Sequence, residues 1–89
     1  MIQVAEGASF RRAYKRFIRS HPDLEKKFQE QLVRFIQSPH DPQLGTHKLS
    51  GTLRNRWAFS INFKYRVVFY FKRDDLAFLE DIGTHDEVY

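Results

Sequence analysis

The hydrophobic period of the chain changes near its middle. Up to about residue 37 the apolar residues recur three and four apart, and from Thr46 onward they recur at every second position. Phe10, Ala13, Tyr14, Phe17 and Ile18 stand at i, i+3, i+4, i+7 and i+8, the spacing that lines one face of a helix. The opposite face carries Arg11, Arg12, Lys15, Arg16 and Arg19. Ser9 stands where an N-cap is expected. A second helix is predicted from Pro22, which suits a first helical turn, with Asp23 and Glu25 near its positive end. Leu24, Phe28, Leu32, Phe35 and Ile36 form its apolar stripe, and SPHDP (38–42) stops it. Two helices joined by so tight a break predict an antiparallel helical hairpin. Ahead of them, IQVA (2–5) predicts a short first strand.

The second half reads as strands. HKLSG is a short strand and turn. In WAFSINF (57–63), Phe59, Ile61 and Phe63 fall on one face and Ala58, Ser60 and Asn62 on the other. In YRVVFYFK (65–72), Tyr65, Val67, Phe69 and Phe71 alternate with Arg66, Val68, Tyr70 and Lys72. KRDD (72–75) is a hairpin turn and LAFLEDI (76–82) the last strand. Helices followed by a meander predict an α+β domain, with two N-terminal antiparallel helices packed on one face of a twisted antiparallel sheet. Two helices cover only one side, so the other face should be partly open.

Composition narrows this picture. Eighty-nine residues without internal repeat or linker make one domain, 1–89. Nine Phe, four Tyr and one Trp supply a core, with Trp57 and the Phe ladder expected inside. The absence of cysteine excludes a disulfide framework and Cys-based zinc sites, and fits a reducing compartment. MIQVAEGASF has neither a basic n-region nor a long apolar run, so no signal peptide is expected. No stretch approaches the roughly 20 apolar residues of a membrane span, so a cytoplasmic protein without a membrane partner is expected. His21, His40, His47 and His85 lack ligand spacing, and neither a metal nor another cofactor is expected.

Charge is unevenly placed. Residues 1–73 hold fifteen Lys and Arg against five acids, a net of +10, whereas residues 74–89 hold six acids and no Lys or Arg, a net of −6. A body this basic attracts polyanions. Nucleic acid is the first candidate, an acidic partner protein the second, and a merely solvated surface the bland alternative. Arg66 interrupts an apolar strand. Burying a charge unpaired is expensive, so Arg66 either pairs with Glu80 or Asp81 on the neighbouring strand or faces the open side. The chain ends DIGTHDEVY, with His85 after a Gly83–Thr84 turn and Tyr89 last. Chain ends usually fray, so these two are either idle or held for a purpose.

The stretch HKLSGTLRNRWAFSINFKYRVVFYF followed by DIGTHDEVY resembles the toxins of bacterial type II toxin–antitoxin modules in the RelE/ParE superfamily, nearest the RelE/YafQ-like branch. The resemblance runs from about Ser9 to Tyr89. Its most specific parts are the HKLSG turn, the W-x-F-x-I-x-F-x-Y-R-V-V-F strand pair and the terminal GTH-x3-Y. It implies the same fold, and it implies an endoribonuclease that enters the ribosomal A site and cuts mRNA there without a metal. Arg66, His85 and Tyr89 correspond to active residues of that branch: Arg66 for the phosphate, His85 as general acid, and Tyr89 to stack on a base or join the proton relay. His47 matches a catalytic histidine of YafQ-like toxins and is a candidate base or phosphate contact. Lys48, Arg54, Arg56 and Lys64 are the expected RNA contacts. Two departures matter: Ser60 stands where YafQ-like toxins carry a second histidine, and Lys64 where they carry an aspartate. His21 and His40 are expected to have no catalytic role. The implied partners are a cognate antitoxin and mRNA on the ribosome, with operator DNA bound through the antitoxin. Two other readings remain, a ParE-like inhibitor of DNA gyrase without catalysis and a degenerate toxin that only binds its antitoxin.

Overall fold

Both hydrophobic periods become regular structure. The computed structural model describes residues 1–50, 55–84 and 88. Strand β1 (Gln3–Glu6) leads into helix α1 (Ala8–Ser20), and a 3-10 turn at Pro22–Leu24 leads into α2 (Glu25–Gln37). A second 3-10 turn at Pro42–Leu44 precedes β2 (His47–Lys48), β3 (Trp57–Ser60), β4 (Tyr65–Arg73) and β5 (Leu76–Thr84). Among the described residues the five strands form one sheet in the order β1-β5-β4-β3-β2. The α+β reading and the helical pair hold. The sheet is mixed, however: β2 to β5 pair antiparallel, while β1 runs parallel to β5 with Gln3 opposite Leu76 and Glu6 opposite Leu79. A parallel edge is possible because α1 and α2 lie between β1 and the meander in sequence and supply the crossover.

The core lies between the helices and one sheet face. Phe10, Ala13 and Phe17 of α1 and Phe28 and Phe35 of α2 meet Phe59, Ile61, Val67, Phe69, Leu79 and Ile82. Phe35 stacks on Phe59 at 4.5 Å and meets Phe69 edge-on at 4.7 Å. Trp57 is half-buried at the margin, edge-on to Phe71 at 5.7 Å, so its place is beside the core rather than within it.

Four local expectations change. Helix α1 starts one residue before Ser9, with Gly7 as N-cap and no side-chain cap bond. Gly7 lies so close to Phe78 that a Cβ there would sit 3.1 Å from the ring. Strand β3 ends at Ser60, and 61–64 form a turn, so Phe63 leaves the apolar face and is 90% exposed. Gln31, on the inner stripe of α2, is buried. Strand β5 runs on to Thr84, two residues past the predicted end.

Candidate active site on the open sheet face

Cross-strand neighbours share a face. Ser60 lies opposite Arg66 and Arg66 opposite Gly83; in the adjacent row His47 lies opposite Ala58, Ala58 opposite Val68 and Val68 opposite Asp81. Phe59, Val67 and Phe69 alternate with these residues and point into the helix-side core, so the face carrying Ser60, Arg66 and Ala58 is the one the helices leave uncovered. A small apolar cluster of Leu49, Ala58 and Val68 lies there, with Val88 packed against it.

Arg66 forms no ion pair among the described residues. Its Nη1 donates to Ser60 Oγ at 2.6 Å and to the Asn62 carbonyl at 3.2 Å. Of the two sequence alternatives, facing the open side is the one realised. The alternative, an ion pair with Glu80 or Asp81, is not made: Arg56 donates to the Glu80 carboxylate at 2.5 and 2.9 Å and lies 4.5 Å over the Tyr70 ring. A guanidinium offers five N–H donors in a planar fork. Nη1 accounts for two, and Nε and Nη2 have no partner among the described residues. That edge of the fork matches two oxygens of a phosphate.

Arg66 is held by a relay from α2. The Gln31 amide donates to the Ser60 carbonyl at 2.8 Å and to the Gln43 carbonyl at 3.3 Å, while its oxygen accepts from Arg34. Ser60 then accepts from Arg66 through its hydroxyl. On the other side Asn62 Oδ1 accepts from the backbone N–H groups of Lys64 (2.9 Å) and Tyr65 (2.8 Å), which fixes the turn whose carbonyl receives Arg66. Gln31 escaped the sequence reading, since an amide on an apolar stripe carries no signal of its partners.

His47 is exposed on β2. Its Nδ1–H donates to the Gly45 carbonyl at 3.0 Å, which orients the ring. Gly45 has φ +59, the left-handed region that glycine adopts freely, and it turns the chain beside Ser60 into β2. Strand spacings place His47 about 10 Å across and about 7 Å along from Arg66, near enough to share a large ligand but not a hydrogen bond. Lys64 belongs to the Asn62 turn, its ammonium 5.5 Å from the Tyr65 ring. Lys48 and Arg56 lie at the far end of β3, around a cavity of about 420 Å³ shared with Trp57, Tyr70 and Lys72. Arg56 is thus committed to Glu80 and Tyr70, away from Arg66. His85, Tyr89 and Arg54 lie outside the described residues.

His21 also has a place the sequence did not suggest. It exchanges a 2.9 Å hydrogen bond with the Tyr65 hydroxyl at a cavity of about 430 Å³, lined also by Arg16, Lys64, Gly83 and Thr84. Among the described residues no three His, Asp or Glu side chains converge as metal ligands.

Solved structures with this fold include several toxins. Escherichia coli YafQ superimposes with a TM-score of 0.81 at 15% identity, covering 100% of this chain and 99% of that one. The fold is that of the RelE/YafQ-like toxins. YafQ in its complex with DinJ matches at 0.74 and 18% identity, covering 100% of this chain and 99% of that one. A copper-bound mutant toxin from Helicobacter pylori matches at 0.79 and 22% identity over 100% of both chains. No family model matches the sequence, and no curated protein matches it. Within this RelE/YafQ-like fold, Arg66 is the second residue of β4, on the face opposite the helices.

Proposed function

We propose that the chain is the toxin of a type II toxin–antitoxin module and cuts ribosome-bound mRNA as an endoribonuclease that uses the substrate's own 2′-OH. The observation that carries this reading is Arg66: a half-buried cation on the open face, with one edge held by Ser60 and Asn62 and the other without a partner among the described residues. In such a reaction the 2′-oxygen attacks the adjacent phosphorus, a base takes its proton, the 5′-oxygen leaves with a proton from an acid, and a cation stabilises the charge gathering on the phosphorane. Those steps need no metal. Arg66 serves the phosphate. His85 is the general acid, two residues beyond the Gly83 that faces Arg66. Tyr89 stacks on a base or joins the relay. His47, its ring oriented by the Gly45 carbonyl, is the candidate base or a second phosphate contact. Lys64 at the same end of the sheet, and Lys48 and Arg54 further along, hold phosphates, and each such contact should weaken as salt rises. Arg56 contributes to the basic field while paired with Glu80.

The basic 1–73 segment also suits an acidic or amphipathic antitoxin segment, and the fold's occurrence in the DinJ–YafQ complex supports such a partner. Operator DNA would then be bound through the antitoxin. No helix among the described residues is long and apolar enough to cross a membrane; the proposed action on ribosomes is cytoplasmic. One observation favours a second reading, a toxin that only binds its antitoxin: a serine whose hydroxyl is bonded to Arg66 replaces the second histidine of YafQ-like toxins. Pulse labelling of protein, RNA and DNA synthesis after induced expression separates the readings. The nuclease reading expects translation to stop with mRNAs cut inside reading frames, and both Arg66→Ala and His85→Ala to be silent. DNA synthesis failing first would favour the gyrase-inhibitor alternative, and unhindered growth the binding-only one.

A further inference from the structure

We propose that Phe63 is a stacking platform for a nucleobase of the mRNA beside the phosphate seated by Arg66, an inference that rests on the nuclease reading. Strand alternation would place Phe63 in the core with Phe59 and Ile61. The chain instead leaves the strand after Ser60: Ile61 is fully buried while Phe63 is 90% exposed, the only aromatic side chain with so open a position among the described residues. The ring stands on a stiff support. Asn62 Oδ1 accepts from two successive backbone N–H groups, and the Ile61 N–H donates to the Tyr65 carbonyl at 2.9 Å. An Asx turn of this kind presents its next side chain in one direction at little entropic cost on binding.

The same turn holds Arg66, through the Asn62 carbonyl. Phe63 and Arg66 are three residues apart, so their Cα atoms lie at most about 10 Å from one another. A base on Phe63 therefore belongs to a nucleotide at or next to the scissile phosphate. Lys64, following in the turn, adds a charge for the backbone between them. Stacking on an aromatic side chain tolerates every base, because each has a π-face, so Phe63 sets the position of the strand more than its sequence.

The test is single-turnover cleavage of a defined mRNA on programmed ribosomes, with wild type, Phe63→Ala, Phe63→Leu and Phe63→Trp, on intact mRNA and on mRNAs carrying one abasic nucleotide near the cut. Phe63→Ala and Phe63→Leu should slow cleavage roughly tenfold to a hundredfold, and Phe63→Trp should retain it. At one abasic position the wild type should slow by a similar factor and Phe63→Ala should lose nothing more. Melting temperatures should not move, because the ring is exposed. Wild-type rates in Phe63→Ala overturn the proposal. So does a loss that persists undiminished at every abasic position, which would make the ring a contact for the ribosome. If the wild type itself leaves every mRNA whole, as Arg66→Ala does, the nuclease reading has failed and this inference falls with it.

Discussion

The two faces of the sheet are specified by different physics. On the helix side Phe59, Val67 and Phe69 are sealed by Phe35 and its neighbours, and shape and apolar area hold them. On the open side Ser60, Arg66 and Tyr70 are kept in place by directed bonds to Asn62, Gln31 and Arg56. A strand alternating between the two faces thus carries stability on one set of positions and, on the proposed nuclease reading, chemistry on the other. Loss of an inner residue should cost folding, and loss of an outer one should cost activity while folding survives.

The steepest way to break that contrast is Phe35→Ala. Phe35 is fully buried, and the cavity left behind should lower stability by about 3–5 kcal/mol, read as a large fall in denaturant midpoint. Gln31→Leu should straddle the divide. It leaves the Ser60 and Gln43 carbonyls without their donor and Arg34 without its acceptor, a cost of about 1–3 kcal/mol. It should also slow cleavage, because Ser60 is what Arg66 leans on. Ser60→Ala sharpens the comparison: the Arg66 fork loses one tether, and cleavage should drop by about tenfold, equal to about 1.4 kcal/mol, with little change in melting. Glu80→Gln should cost under about 1 kcal/mol, since both partners of the Arg56–Glu80 pair are about a third exposed and screened by solvent.

The smallest effect belongs to Tyr14, which packs 4.8 Å from Phe28 on the helix side. Burial raises its hydroxyl above the usual 10.0, opposed by a hydrogen bond to Gln29 and reinforced by the charges of Glu25 and Glu6. Folding therefore favours the protonated form. That contribution is fully present below pH 10 and is lost as pH rises through the folded value. Melting temperature should fall in this alkaline range, and Tyr14→Phe should remove part of the fall.

Most of the frame was legible in the sequence, because α1, α2 and β4 each repeat one period long enough to leave no competitor, and the KRDD turn signal set off β5. The parallel pairing of β1 was not, since a four-residue strand carries no record of which edge it joins. Phe63 misled for a physical reason: alternation persists in the sequence past Ser60, but the Asn62 side chain competes for the backbone and ends the strand. Arg66 announced itself as a charge among apolar residues, whereas its true partners did not. The sequence put forward Glu80 and Asp81 as its ion-pair partners, whereas in the fold Arg56 holds Glu80 and Arg66 bonds Ser60 and Asn62. His47 stands on β2, away from Arg66, and Lys48 and Arg56 line a cavity at the far end of β3.

The most direct measurement pairs two readings on one preparation of Arg66→Ala: its melting temperature and its rate of mRNA cleavage on programmed ribosomes. The account predicts a folded protein, melting within a few degrees of wild type, whose cleavage is lost by two orders of magnitude or more. A folded Arg66→Ala protein that cuts mRNA at the wild-type rate would contradict it.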